Sequence, residues 1–174
     1  MKNMRKIILQ VAVSLDGFIE GPNGEIDWCF TDQDYGLKDF FTQIDTLFMG
    51  RKTYELMLRM GDEATAGFPK FKQYIFSTTL NEVKDGIVIR KNIQSEVEKI
   101  KNEEGKDIWL FGGGELTSSL MNLKLVDEIW LAVHPVILSG GKPAFPHLKE
   151  RANLKLLDTK TYSTGLVFLK YSIG

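Results

Sequence analysis

A buried strand, a glycine turn and a helix start follow one another directly in residues 108–123, IWLFGGGELTSSLMNL. Apolar residues that favour β structure fill 108–111, three glycines follow, and leucine and methionine recur at helical spacing in 115–123. Glycine lets the backbone approach a ligand closely, and the first N–H groups of a helix lack partners within the helix. The segment therefore predicts an anion site, with phosphate as the usual ligand. The alternative is a tight turn that binds nothing.

Strands alternate with helices through the middle of the chain, and the chain ends in β structure. The predicted strands cover 6–13, 46–49, 72–77, 86–90, 107–111, 128–136, 154–161 and 165–172, and the predicted helices cover 36–44, 52–60, 93–101 and 115–123. Loops are expected at 20–27, 65–69 and 139–143. This order predicts a single α/β domain over 1–174, with a mixed, mainly parallel sheet, a C-terminal antiparallel hairpin and helices on both faces. Ligands in such sheets bind at the carboxyl ends of strands.

Composition excludes several classes of protein. Lysine and arginine number 22 against 23 acidic residues, so no basic surface for nucleic acid is expected. Cys29 is the single cysteine, which rules out an internal disulfide and favours a reducing cytoplasm. Cys29 and the two histidines of the chain form no recognisable zinc motif, so no metal is expected. No run of 18 apolar residues predicts a membrane span, and the N-terminal apolar stretch indicates a first strand rather than a signal peptide.

A second constellation, MGRKTY at 49–54, also ends a buried strand and begins a helix. Arginine offers a planar fork of donors to phosphate, lysine a point charge and threonine a hydroxyl. Arg51, Lys52 and Thr53 after Gly50 therefore suit a terminal monophosphate, such as the 2′-phosphate that distinguishes NADPH from NADH. The alternative is a pair of solvated surface charges, although cations at a helix start are slightly unfavourable.

Hydroxyls and another cation follow the next two strands. Ser77 and Thr78 close one predicted strand and Arg90 closes the following one. Because the ends of parallel strands meet at one edge, these residues could enclose the adenosine half of a nucleotide. Taken alone, the hydroxyls are more typical of turn capping and Arg90 of surface charge.

The region after the first strand offers candidate substrate or lid residues. Asp16, in the SLDG segment 14–17, is most simply a turn residue, and Trp28 follows the loop EGPNGEID either as a core anchor or as the end of a lid.

Acid–base chemistry is poorly indicated by the sequence. The candidate groups are Asp27, Asp32, Asp34, Asp39, His134 and His147. Helix capping, surface exposure or a satisfied strand histidine are the ordinary alternatives for them.

The order of these segments resembles the dihydrofolate reductase superfamily over nearly the whole chain. MGRKT at 49–53 and FGGG at 111–114 look like the two NADPH motifs of that fold. Within the superfamily the chain is more similar to the reductase domain of bacterial riboflavin biosynthesis. The segments that carry this likeness are SLDG at 14–17, GGGEL at 112–116, LVDE at 125–128, and His134-Pro135 followed by Ser139-Gly140-Gly141 and Phe145. No zinc-deaminase signature is present, so the chain resembles a stand-alone form.

The resemblance implies a three-layer fold with an eight-stranded sheet and NADPH across the strand ends. The cofactor residues that it implies are Ala12, Ile19, Gly50, Arg51, Lys52, Thr53, Ser77, Thr78, Arg90, Phe111, Gly112, Gly113, Gly114, Glu115 and Leu116. Ala12 and Ile19 would flank the nicotinamide, and the Gly112–Gly113 peptide is expected to be cis. Folate reductases place an acid at the helix start after the tryptophan; the spacing differs here, and only Asp32 or Asp34 could take that catalytic position.

The first functional hypothesis is an NADPH-dependent oxidoreductase that reduces a small heterocyclic or ribosylaminopyrimidine substrate. The alternatives are a non-catalytic NADPH- or nucleotide-binding module, or sensor, and a dihydrofolate or pterin reductase. A Rossmann-type dehydrogenase is disfavoured because Thr117 breaks the glycine spacing. The terminal hairpin, apolar on both faces, could pair with a second copy, and the riboflavin relatives tend to form dimers, so a homodimer is expected.

Overall fold

A computed structural model describes residues 4–61 and 66–174. Within these ranges, its elements are β1 (Ile7–Ser14), β2 (Phe18–Glu20), α1 (Leu37–Thr42), β3 (Ile44–Gly50), α2 (Arg51–Met60), β4 (Lys72–Phe76), β5 (Ile87–Ile89), α3 (Ile93–Lys101), β6 (Asp107–Gly112), α4 (Gly114–Asn122), β7 (Glu128–His134), β8 (Lys142–Pro143), β9 (Leu154–Thr161) and β10 (Val167–Ile173). None of the helices in these ranges is long and apolar enough to cross a membrane.

Eight of the described strands form one sheet in the order β5-β4-β3-β6-β1-β7-β10-β9. The neighbours from β5 to β7 pair in parallel, whereas β10 runs antiparallel to both β7 and β9. The prediction of a mainly parallel sheet with a C-terminal antiparallel hairpin is therefore confirmed.

Both faces of the sheet bury apolar side chains under helices. Along β6, Ile108 and Leu110 belong to one core cluster and Trp109 to the other, because successive strand side chains point to opposite faces. The first cluster packs against α3 and α4, which contribute Val97 and Leu120 among others. The second includes residues of α1 and α2. Helices on both faces make the predicted three-layer arrangement.

Several predicted boundaries are wrong, and the sheet explains why. The helix predicted to reach Ile44 ends at Thr42, because Ile44 is buried at the start of β3. The segment 139–143, predicted as loop, contains β8, which pairs antiparallel with β2. Gly141 makes this pairing possible: its φ is +126°, and a Cβ there would lie 2.9 Å from the carbonyl carbon of Gly21. Of the loop predicted at 65–69, residue 65 lies outside the described residues.

The ends of the parallel strands align at one edge of the sheet. Gly50 at the end of β3 pairs with Phe76 at the end of β4, and Phe76 pairs with Ile89 at the end of β5. On the other side of β3, Met49 pairs with Gly112 at the end of β6. Helices α2 and α4 both begin at this edge, so the segments singled out in the sequence meet in one place.

Candidate functional site

A cavity of about 390 Å³ lies at this carboxyl edge of the sheet. It brings together eleven of the fifteen residues expected to bind a cofactor. These are Gly50, Arg51, Lys52, Thr53, Ser77, Thr78, Arg90, Gly113, Gly114, Glu115 and Leu116. They come from four strand ends, so their convergence follows from the register of the sheet and not from proximity along the chain.

The other four expected residues are not among the described residues that line this cavity. Ala12 lies within β1, opposite Ala132 of β7, and Ile19 lies on β2. The ring of Phe111 packs edge-on against Trp109, with 4.7 Å between ring centroids. Gly112 adjoins the cavity through its peptide bond to Gly113, which is cis as expected.

Sequence reasoning missed further lining residues. They are Phe76, Thr79, Ile89, Ile93, Ser119 and Lys142. Apolar Phe76, Ile89 and Ile93 are ordinary strand and helix residues in the sequence and carry no local signal of a site. Thr79 belongs to the run of three hydroxyls at 77–79 that closes the predicted strand, although only Ser77 and Thr78 were assigned to the cofactor. Lys142 follows two glycines, and this pattern predicts a loop rather than a strand.

The glycine turn that lines the cavity makes close contacts with neighbouring segments. A Cβ on Gly114 would lie 2.8 Å from the carbonyl oxygen of Pro143 and 2.9 Å from Cδ of Pro146. A Cβ on Gly113 would lie 3.4 Å from the Thr53 hydroxyl. Helix α4 begins at Gly114, and no side chain caps it at Gly113. Its first amides are therefore available to an anion at the turn.

Arg51 and Lys52, two of the cations that line the cavity, are paired with carboxylates of the same chain. Arg51 donates from Nη1 to both Glu55 oxygens at 2.8 and 3.1 Å, one helical turn away. Lys52 pairs with Glu115 at 3.4 Å. The Lys52 pair is strongly exposed and contributes little to stability. An anion that binds here exchanges one ion pair for another, so its net gain depends on geometry as well as charge.

Arg90 and Ser77, which also line the cavity, have hydrogen-bond partners within the chain. Arg90 donates to the Asn81 carbonyl oxygen at 2.7 Å. The Ser77 hydroxyl oxygen accepts the backbone N–H groups of Thr79 and Leu80 at 3.2 and 3.0 Å. Ser77 thus caps the turn after β4, as the ordinary reading of its sequence suggested, and still faces the cavity.

Asp16 braces the loop that leads to β8. Its carboxylate accepts the Ser14 hydroxyl at 2.7 Å and the backbone N–H groups of Leu138 and Ser139 at 3.1 and 2.8 Å. The Ser14 hydrogen bond, followed by these backbone hydrogen bonds, lowers the pKa of Asp16. Asp16 is therefore a turn residue in this structure, and it connects the end of β1 to the segment before Lys142.

The candidate lid residue Trp28 packs against the end of β7. Its indole N–H donates to the Glu25 carbonyl at 3.1 Å, and its ring meets His134 edge-on at 5.3 Å between centroids. His134 is buried; its Nε2 accepts the Phe30 N–H at 3.1 Å, and its Nδ1 lies 3.0 Å from the Ala132 carbonyl oxygen. These contacts fit a ring protonated at Nδ1 alone. The histidine thus fixes the loop at Trp28–Phe30 to the sheet.

Burial lowers the pKa of His134, which predicts a dependence of folding stability on pH. An unfolded histidine takes up its proton near pH 6.5, whereas the folded chain takes it up only at lower pH. Stability is therefore expected to be highest above about pH 6.5 and to fall as the pH drops towards the folded pKa. Urea unfolding near pH 7.5 and 5.5 measures this loss, which His134→Gln should reduce. The exposed control His147→Asn should retain it, and an unchanged loss in His134→Gln would contradict the assignment.

The two predicted catalytic acids lie outside the cavity lining. Asp34 accepts backbone N–H groups from Gly36 and Lys38 at 3.1 and 3.2 Å, as a residue before a helix commonly does. Asp32 accepts the Tyr35 hydroxyl at 2.6 Å. Both side chains are exposed. These contacts are structural, and neither carboxylate lines the cavity. The assignment of Asp32 and Asp34 as proton donors stays a prediction.

Solved structures share this architecture. A protein from Shewanella sp. PV-4 with a provisional assignment to riboflavin biosynthesis has a TM-score of 0.83 at 22% identity, over 97% of this chain and 99% of its own. The deaminase/5-amino-6-(5-phosphoribosylamino)uracil reductase of Thermotoga maritima has a TM-score of 0.73 at 13% identity, over 99% of this chain and 58% of its own. Dihydrofolate reductase from Enterococcus faecalis, complexed with NADP(H), has a TM-score of 0.68 at 16% identity, over 97% of this chain and 96% of its own.

Sequence comparison gives the family. The uncharacterized protein YyaP of Bacillus subtilis (strain 168) is 48% identical over 96% of this chain and 94% of its own length. The family model described as the RibD C-terminal domain matches residues 5–168. The resemblance inferred from the glycine and MGRKT motifs is confirmed, and so is the dihydrofolate reductase-like fold. The chain belongs to the RibD C-terminal domain family.

Proposed function

We propose that the protein is an NADPH-dependent reductase of a small heterocyclic or ribosylaminopyrimidine-type substrate. The observation that carries this proposal is the convergence of a glycine turn, a helix start, hydroxyls and cations on one cavity at the strand ends. This combination suits a ligand with several phosphates and a flat base. The fold is that of riboflavin-biosynthesis and dihydrofolate reductases, and a solved neighbour is complexed with NADP(H).

Each part of the cavity is assigned to one part of the cofactor. Arg51, Lys52 and Thr53 would bind the 2′-phosphate, because arginine presents a planar fork and the start of α2 presents free amides. The turn at 112–114, with Glu115 and Leu116, would hold the pyrophosphate and nicotinamide side. Ser77, Thr78 and Arg90 would surround the adenosine. Ala12 and Ile19, outside this cavity lining, would flank the nicotinamide.

When bound, the cofactor supplies a hydride to an electron-poor carbon of the substrate. The chain must position both molecules, exclude water and provide a proton to the substrate nitrogen or oxygen that gains electrons. Asp32 and Asp34 are the proposed donors, and Asp16 and Trp28 the proposed substrate or lid residues. Replacing Asp32 or Asp34 by asparagine should reduce turnover while NADPH affinity is retained. Full turnover in both variants would remove these residues from the mechanism.

The experiment that tests the proposal is a titration of the protein with NADPH and NADH, followed by NADPH oxidation assays. A preference for NADPH and oxidation with a ribosylaminopyrimidine would support the reductase. Tight NADPH binding without oxidation across heterocyclic, pterin and ribosylamino substrates would instead support a non-catalytic binding module or sensor, and oxidation with dihydrofolate would support a folate or pterin reductase. Absence of NADPH binding at high micromolar concentrations would refute the proposal.

We also propose that the protein is a homodimer through the β9–β10 hairpin. Every residue of the edge strand β9 is exposed, and Leu154, Leu156 and Leu157 expose 43, 51 and 49% of their surface. A long edge strand with exposed leucines favours pairing with another chain. Analytical ultracentrifugation should therefore show a dimer, which Leu156→Lys weakens and the control Lys155→Gln retains. A wild-type monomer at high micromolar concentration would contradict the proposal.

A further inference from the structure

Lys142 lies against the glycine turn, although it comes from a distant part of the chain. A Cβ placed on Gly113 would be 3.9 Å from the Lys142 ammonium nitrogen and 3.4 Å from the Thr53 hydroxyl. The backbone next to Lys142 also contacts the turn, because the Pro143 carbonyl oxygen adjoins Gly114. Strand β8 therefore holds a cation beside the backbone that begins α4.

The partner of Lys142 is Glu20, at 3.0 Å, and the two residues face each other in the pairing of β8 with β2. Their side chains are 37 and 26% exposed, whereas Lys52 and Glu115 are 65 and 70% exposed. Partial burial reduces screening by solvent and salt, so the Lys142 ammonium interacts more strongly with a nearby anion than a fully exposed lysine would.

Lys142 and Arg90 occupy different parts of the cavity lining. Arg90 directly follows β5 and is held by Asn81, close to the turn that Ser77 caps. Lys142 is held by Glu20 and adjoins Gly113 at the cis peptide. A dinucleotide that spans these parts would place its adenosine near Arg90 and its second phosphate near the glycine turn. A mononucleotide fragment would occupy the adenosine part alone.

We propose that Lys142 binds the phosphate on the nicotinamide side of the cofactor pyrophosphate and so selects the intact dinucleotide over its adenosine fragment. The inference rests on the proposed function. Glu20 holds the ammonium group beside the turn and competes with the phosphate for it. Removing the cation and removing its competitor therefore have opposite effects on affinity, a difference that a merely structural ion pair would not produce.

The test is calorimetric binding of NADPH and of adenosine 2′,5′-bisphosphate at one fixed ionic strength. Lys142→Met is expected to weaken NADPH binding about tenfold, as for one lost charge-assisted contact. It should weaken binding of the bisphosphate less than about twofold. Lys142→Arg should restore most NADPH affinity. Glu20→Gln should tighten NADPH about two- to threefold. Lys72→Met is the matched control, since Lys72 begins β4 and pairs with Glu103 outside the cavity lining.

Thermal unfolding of each variant shows whether the fold is retained. Equal losses for both ligands in Lys142→Met, or unchanged NADPH affinity, would overturn the inference while leaving the proposed cofactor in place. Loss of NADPH affinity in Glu20→Gln as well would reduce the pair to a structural contact. If the wild-type protein bound neither ligand, the proposed function would fail and this inference with it.

Discussion

Arg51→Ala is expected to weaken NADPH binding about 10- to 100-fold and to change NADH binding less than about threefold. A hydrogen bond to a charged group contributes about 1.5–3 kcal/mol, and every 1.4 kcal/mol is about a factor of ten. Arg51 opens α2 at the end of β3, where its guanidinium and the first helix amides can meet the same phosphate. NADH lacks that phosphate, so it should be insensitive to the change.

The matched control is Arg59→Ala, the same substitution in the last turn of the same helix. It should leave both affinities unchanged, because Arg59 is outside the cavity lining. Glu55→Gln removes the carboxylate that holds Arg51 and should tighten NADPH binding modestly. Equal losses of NADPH and NADH affinity in Arg51→Ala would refute the assignment of Arg51 to the 2′-phosphate.

Gly114→Ala is expected to destabilise the fold by about 1–3 kcal/mol, the usual cost of overpacking. The added methyl group would lie 2.8 Å from the Pro143 carbonyl oxygen and 2.9 Å from the Pro146 ring. Backbone and proline ring cannot move as a flexible side chain does, so the start of α4 or the segment after β8 must shift. For a chain of this size the unfolding temperature should fall by about 2–4 °C per kcal/mol, as calorimetry would show.

Gly50→Ala is the control for the glycine prediction. Its backbone, at φ −80° and ψ 162°, suits alanine, and the nearest atom to an added methyl would be the Leu116 Cβ at 3.7 Å. The unfolding temperature should therefore stay close to that of the wild type. A Gly114→Ala protein as stable as Gly50→Ala would show that the contact with Pro143 relaxes without cost.

The strand-to-helix units could be predicted from sequence because their signals are local. The segment 108–123 contains its strand, its glycine turn and its helix within sixteen residues, and α3 matches the predicted range 93–101. The meeting of Gly50, Phe76 and Gly112 at one edge follows from parallel pairing. Once the elements were known, the general rule for such sheets indicated where a ligand would bind.

The missed features depend on pairing between distant residues, on ambiguous apolar spacing or on local turn geometry. Strand β8 has two residues and exists because β2, more than 100 residues earlier, pairs with it; Lys142 and Glu20 are 122 positions apart. Ile44 is apolar at a spacing that suits either a helix face or a buried strand, so periodicity alone could not assign it. The contacts of Asp34 with Gly36 and Lys38 depend on the geometry of the local turn. The sequence shows several acidic residues near this helix start but does not show which of them accepts these hydrogen bonds.

The carboxylates that pair with Arg51, Lys52 and Lys142 also reduce the attraction of the cavity for polyanions. A cluster of unneutralised cations at the mouth of a cavity would attract any phosphate chain, including nucleic acid, through long-range charge. Here each of these cations has an anion within 3.4 Å, and the whole chain carries a formal charge of −1. The local field is therefore weak until a ligand displaces those carboxylates at short range. Discrimination then depends on the shape and spacing of the ligand's phosphates rather than on their total charge.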